Sequence, residues 1–197
     1  MRDPRALKAA LRSELLRVRR GLSADARDLA GTALESRVRD LPELARAHTV
    51  AAYVSMGSEP GTHGLIESLR VAGRRVLLPV LLPDNDLDWA RYDGPDALRR
   101  TERGLLEPTG DRLGPQAVTE AEALLLPGLA VDRSGVRLGR GGGSYDRVLA
   151  RLEAAGKSPA LVVLLYANEV VESVPREAHD HLVDAVITPV GVHHFAR

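Results

Sequence analysis

The residues 137–146, Arg137-Leu-Gly-Arg-Gly-Gly-Gly-Ser-Tyr-Asp146, hold two arginines, four glycines and an aspartate in ten positions. That mixture suits an anion. Glycines let backbone N–H groups approach a phosphate closely, and a helix starting just after them adds positive potential. Arg137 and Arg140 supply fixed charge and forked donors. Asp146, just past the glycines, is placed to hold a Mg²⁺ that bridges phosphate oxygens. The spacing is neither that of a P-loop, which ends in Gly-Lys-Ser/Thr, nor that of a GxGxxG dinucleotide turn. A flexible loop followed by an Asp-capped helix is the plain alternative for a glycine-rich strand–loop–helix.

Three further stretches carry candidate chemistry. Tyr53-Val-Ser-Met-Gly-Ser-Glu59 follows a short apolar run, so Glu59 falls at a strand end, where open α/β sheets place ligands. There it can hydrogen-bond a heterocycle; alone, it would read as a solvated turn carboxylate. Val174-Pro-Arg-Glu-Ala-His-Asp-His181 offers Asp180 as a second Mg²⁺ ligand. His179 and His181 have the spacing of a zinc pair but no third ligand at a recognisable distance, which argues against zinc. Lys8 and Arg12 stand one helical turn apart. The ordinary reading is a solvated basic face; if that helix closes over the glycine loop, both reach phosphates.

The elements that must position these groups follow from periodicity. Asp3 and Pro4 start a helix with Leu7, Leu11, Leu15, Val18 and Leu22 at helical spacing. Ser23 starts a second, with Leu29, Ala33, Leu34, Val38 and Leu41 on one side and Pro42 closing it. Strands are expected at 49–54, 75–79, 87–92, 123–127, 160–166 and 185–188. Helices are expected at 62–72, ended by Gly73, and at 145–155. Residues 93–119 and 128–144 read as mostly loop, and His193-His194 as a candidate solvated tail. Continuous apolar strands alternating with helices give an α/β fold: one domain over 1–197, a mostly parallel sheet flanked by helices, and the helices of 1–42 packing on it as an N-terminal extension.

Composition removes whole classes of function. With 27 basic and 27 acidic residues the chain lacks the basic excess of a dedicated nucleic-acid binder. It has no cysteine, hence no disulfide, thiolate nucleophile or iron–sulfur cluster, which fits a reducing cytoplasm. No apolar run approaches the ~18 residues of a membrane span, and the N-terminus shows no export signal. There is no serine nucleophile elbow and no HExxH.

Taken together, the motifs resemble the 5-formyltetrahydrofolate cyclo-ligase family. They are Lys8-x-x-Leu11-Arg12, Tyr53 through Glu59, Leu105-x-Glu107-Pro108, Leu126-Pro-Gly-Leu-Ala-Val-Asp132, Gly135 through Arg147, and Pro175 through Asp180. They span nearly the whole chain in the family's order, and the block ending at Arg147 is the most specific. The resemblance implies a Rossmann-like fold related to ribose-phosphate isomerase and CoA-transferase domains. It implies conversion of 5-formyltetrahydrofolate and ATP, with Mg²⁺, to 5,10-methenyltetrahydrofolate, ADP and phosphate, by a monomer or weak homodimer in the cytoplasm. ATP would be bound by Lys8, Arg12, Arg137, Leu138, Gly139, Arg140, and on through Gly141, Gly142, Gly143, Ser144 and Tyr145. The folate would meet Val54 and Glu59, with Arg140 through Ser144 lying between the two ligands. Asp146 and Asp180 would match the magnesium positions. One position departs: many members carry an aromatic residue where this chain has Ser144, so stacking on the substrate is lost there. Two other readings use the same residues: a sugar-phosphate isomerase, which needs the anion loop but no ATP, and a folate-binding protein without catalysis.

Overall fold

A computed structural model describes residues 3–177 and 180–196, with Arg39 as backbone only. His179 of the candidate histidine pair lies outside the described residues. The chain opens with helices α1 (Pro4–Arg20), α2 (Ala24–Arg37) and α3 (Pro42–Arg46), then runs β1 (Thr49–Ala51), α4 (His63–Val71), β2 (Arg75–Leu81) and β3 (Leu87–Arg91). A ribbon of β4 (Leu98–Arg100) and β5 (Leu106–Pro108) follows, then β6 (Ala123–Pro127), β7 (Ala130–Asp132) and β8 (Arg137–Leu138). Helix α5 (Ser144–Ala154), β9 (Ala160–Leu164), β10 (Val170–Val171), β11 (Ala185–Thr188) and β12 (Gly191–His194) complete it.

Seven strands form the central sheet in the order β12-β11-β9-β6-β1-β2-β3. The five inner strands are parallel, and antiparallel β12 and β3 close the edges. Strands β1 and β11 are buried at every position, as expected where helices cover both faces. Alternate side chains serve opposite faces. Ala123, Leu125, Val162, Leu164 and Ile187 meet α2, α3 and α4 on one face. Leu124, Leu126, Val163 and Val186 meet Val148, Leu149 and Leu152 of α5 on the other.

Several expectations shift. Pro42 starts α3 instead of closing α2; its missing N–H costs nothing at a first helical turn. Residues 93–119 contain the β4–β5 ribbon, whose strands of three residues are too short for periodicity to reveal. The stretch 128–144 folds into a small three-stranded sheet, β10-β7-β8. His193 and His194 are not a tail but part of edge strand β12, paired with Val186 and Ala185. Helix α1 packs Leu11, Leu15 and Leu16 on the small sheet, whereas α2 lies against α4 and the central sheet. Leu29, expected on the apolar side of α2, is 72% exposed.

Topology puts the site at one place. From β1 the chain proceeds to β2 and β3 on one side, then returns to β6 and continues to β9, β11 and β12 on the other. The strand order therefore reverses between β1 and β6, and the crevice beyond their carboxyl ends is where such sheets bind ligands.

Candidate active site

A cavity of about 260 Å³ opens at that reversal point. Tyr53 and Val54 beyond β1 and Pro127 and Gly128 at β6 form its floor. The glycine loop, from Gly139 through Asp146 with Arg137 beside it, forms one wall. Pro79, Leu81 and Leu87 of the β2–β3 hairpin, with Leu105 and Leu106 of the ribbon, form an apolar wall. Val54, Glu59 and most of the candidate phosphate residues are thus brought into one chamber.

The glycine loop has a backbone that requires glycine. Gly141 has φ +91° and Gly143, the residue before α5, has φ +78°, a region that side chains disfavour. No side chain caps the first amides of α5, so they face the cavity end available to an anion. Arg137 is anchored: its Nη1 donates to the Pro127 carbonyl at 3.0 Å and its Nη2 to Asp146 Oδ1 at 3.2 Å. Burial lowers its pKa, while Asp146, Tyr145 and Asp180 oppose the shift. An arginine so placed stays charged and adds fixed positive potential to the chamber. The Tyr145 side chain is half-buried at the cavity, and desolvation and Glu59 raise the pKa of its hydroxyl, so it remains protonated.

Glu59 is the buried carboxylate. Its side chain is 7% exposed, with Oε1 at 3.2 Å from Arg140 Nε. Its Oε2 accepts the Met56 N–H at 2.9 Å. Burial raises its pKa, against the pull of the Met56 amide, Arg140 and Arg19. The plain reading of a solvated turn carboxylate does not hold. The turn is built for burial: the Thr62 hydroxyl donates to the Tyr53 carbonyl, and Thr62 and Ser55 exchange side-chain–backbone bonds.

Helix α1 overturns the reading of a solvated basic face. Positions 8, 12, 15 and 19 share one helical face, and Lys8, Leu15 and Arg19 on it are buried. Leu7 and Val18 of the expected apolar stripe are instead partly exposed. Arg12 Nε donates to the Gly139 carbonyl at 2.8 Å, fixing the helix to the glycine loop. Lys8 Nζ donates to Glu177 at 2.8 Å and to both Asp180 oxygens at 2.9 and 2.7 Å. Burial alone would lower the Lys8 pKa, but these two carboxylates outweigh it and the net shift is upward.

Arg19 is a participant that the sequence reading missed. It is 1% exposed, donates twice to Glu169 at 2.6 and 2.8 Å, and donates to the Gly128 carbonyl at 2.6 Å. Its guanidinium stacks 5.5 Å over the Tyr166 ring, whose hydroxyl donates to the Ser58 carbonyl beside Glu59. One signal was available: Arg19 sits seven residues after Arg12, on the same helical face.

The acidic residues fit Mg²⁺ unequally. Among the described residues, no group of three or more His, Asp or Glu side chains is disposed to hold a metal ion. Mg²⁺ carried by a nucleotide needs only one or two carboxylates, because phosphate oxygens and waters complete its shell. Asp146, 54% exposed at the cavity, meets that requirement. Asp180 is occupied by Lys8 and by the Glu177 N–H at 2.7 Å, so it would serve a cation only after Lys8 turns away.

A chamber at the reversal point of a parallel sheet, with a glycine-rich, arginine-flanked loop on one side and leucines on the other, is the ligand site of an α/β protein, suited to an anionic group beside an apolar one. Comparison with known proteins makes this specific. Residues 4–189 match the model of the 5-formyltetrahydrofolate cyclo-ligase family, and the chain belongs to that family. A 5-formyltetrahydrofolate cyclo-ligase of Mycolicibacterium smegmatis is 39% identical over 192 residues, covering 95% of each chain. The Escherichia coli K12 enzyme is 34% identical over 176 residues, covering 88% of this chain and 96% of its own. Among solved structures, the 5,10-methenyltetrahydrofolate synthetase of Aquifex aeolicus superposes with a TM-score of 0.81 at 29% identity, covering 97% of this chain and 94% of that one.

Proposed function

We infer that the chain closes 5-formyltetrahydrofolate to 5,10-methenyltetrahydrofolate at the expense of ATP. The observation that carries the reading, beside family membership, is the pairing of Glu59 with Arg140 across the chamber: it joins the turn expected to meet the folate to the loop expected to meet the phosphates.

The chemistry requires two ligands in contact. A formamide carbonyl is a poor electrophile. Transfer of the terminal phosphoryl group of ATP to the formyl oxygen converts that oxygen into a leaving group and releases ADP. The N10 nitrogen then attacks the formyl carbon and loses its proton. The C–O bond breaks, phosphate departs with the former formyl oxygen, and the methenyl bridge remains. No covalent protein intermediate is needed, consistent with a chain lacking cysteine.

The residues position and neutralise. The amides of Gly141 through Tyr145 receive phosphate oxygens. Arg137, held by Pro127 and Asp146, supplies a charge that needs no reorganisation. Arg140 lies where phosphoryl and formyl oxygens meet, and Arg12 keeps the loop closed through Gly139. Val54 and Glu59 contact the folate. Asp146 would hold Mg²⁺, and Asp180 would be free to join it only if Lys8 turned from it toward a phosphate. The chemistry supplied by such a bound Mg²⁺ would be screening of the phosphate charge. Ser144, in place of an aromatic residue, contributes its amide and hydroxyl to the phosphate side, leaving the leucine wall to hold the folate ring.

A near-ultraviolet absorbance trace tests the reading. Purified protein with 5-formyltetrahydrofolate and Mg²⁺ should develop the methenyl chromophore only after ATP is added, with ADP formed in equal amount. A flat trace with measurable folate binding would support the non-catalytic reading; isomerisation without ATP would support the isomerase.

A further inference from the structure

Beside Glu59 and Asp146 the chamber contains a third carboxylate, Glu107, and its surroundings differ from those of Glu59. Glu107 lies in the ribbon strand β5, among Leu81, Leu87, Leu105 and Leu106 in the apolar wall. Its Oε1 accepts the Leu81 N–H at 2.9 Å, which fixes the carboxylate against the end of β2. Among the described residues, its Oε2 has no hydrogen-bond donor, and no Lys, Arg or His stands within ion-pair distance. The two oxygens of Glu59, by contrast, are taken by Arg140 and the Met56 amide.

A carboxylate held rigidly in an apolar wall, with one oxygen unmet, favours a ligand that brings its own N–H donors. It repels an anionic group, so neither phosphate nor the glutamate tail of a folate suits it. The pteridine ring does: its flat faces suit leucines, and its 2-amino-4-oxo edge presents an amino group beside a ring N–H. We propose that Glu107 is the residue that recognises this edge and so sets the orientation of the substrate. This inference rests on the folate reading above. The N5 formyl group lies on the other ring of the pteridine, so seating the 2-amino edge on Glu107 turns the formyl oxygen away from the leucines and toward the glycine loop. Glu59 is then left to act near the reacting atoms.

The test uses Glu107→Gln and Glu107→Ala with two substrates: 5-formyltetrahydrofolate and its 2-desamino-2-methyl analogue. Glutamine retains an oxygen for the Leu81 amide, so the fold is kept while the charge and the second acceptor are lost. The wild-type protein should prefer the 2-amino substrate in kcat/KM by roughly tenfold or more, the size of one charge-assisted hydrogen bond. Both variants should lose most of that preference and raise the folate KM about tenfold, with the ATP KM unchanged. A retained preference overturns the inference, whether the folate KM stays within twofold or all parameters fall together. Absence of ATP-dependent turnover by the wild-type protein overturns the cyclo-ligase reading, and this inference with it.

Discussion

Replacing Arg140 by alanine separates charge stabilisation from mere binding. Its guanidinium lies 3.2 Å from the Glu59 carboxylate and is 41% exposed. Two losses follow. The first is a donor aimed at the transferring phosphoryl group; removing one such preorganised donor costs about 10²–10³ in kcat. The second is the counter-ion of Glu59. With Arg140 this open to solvent, the pair contributes only about 1 kcal/mol after screening. Burial already raises the Glu59 pKa and Arg140 is among the groups holding it down, so the replacement raises it further. The assay is the initial rate of methenyl absorbance at saturating ATP and folate, repeated across pH. Arg140→Ala should lower kcat by about 10²–10³, with any acidic limb owed to Glu59 moving to higher pH. A kcat within threefold of wild type at every pH would rule out charge stabilisation by Arg140; a rise in the ATP KM alone would make it a binding residue only.

Further outcomes follow from other contacts. Asp146→Asn keeps an oxygen for Arg137 but removes the charge, so the rate should need more Mg²⁺ for half-saturation; an unchanged magnesium titration would count against a metal role. Arg19→Met leaves Glu169 buried without its cation and should destabilise the fold by about 3–5 kcal/mol in urea denaturation, whereas Arg19→Met with Glu169→Leu should recover much of the loss. Asp132 accepts bonds from Ser134, Val136 and Val174; burial would raise its pKa, but these donors outweigh it and the folded value is depressed. Its stabilisation is therefore present above the ordinary aspartate pKa of 3.8 and lost as pH falls through the folded value. Asp132→Ala should cost about 2 kcal/mol at neutral pH and flatten the acid end of the stability curve; an unchanged curve would contradict this.

What the sequence made legible depended on length and on period. The parallel strands are continuous apolar runs such as Ala123–Pro127, buried on both faces, so composition alone marks them. Gly141 and Gly143 were legible because positive φ leaves glycine few competitors. The β4–β5 ribbon was not, because its strands have three residues each and are fixed by Glu107 and Leu81, far apart in sequence. The buried face of α1 misled for another reason. Hydrophobic periodicity assumes that leucines face inward, but here Lys8 and Arg19 go inside because Asp180, Glu177 and Glu169 meet them there, 150 or more residues away. Tertiary charge partners of this kind leave no local trace.

In the proposed reaction, ATP activates the formyl oxygen within a chamber joining the glycine loop to the folate wall. Turnover of 5-formyltetrahydrofolate carrying ¹⁸O in its formyl group, followed by mass spectrometry of the inorganic phosphate, tests it directly. Each phosphate released should carry one ¹⁸O. Unlabelled phosphate, with the label found in water, would contradict it.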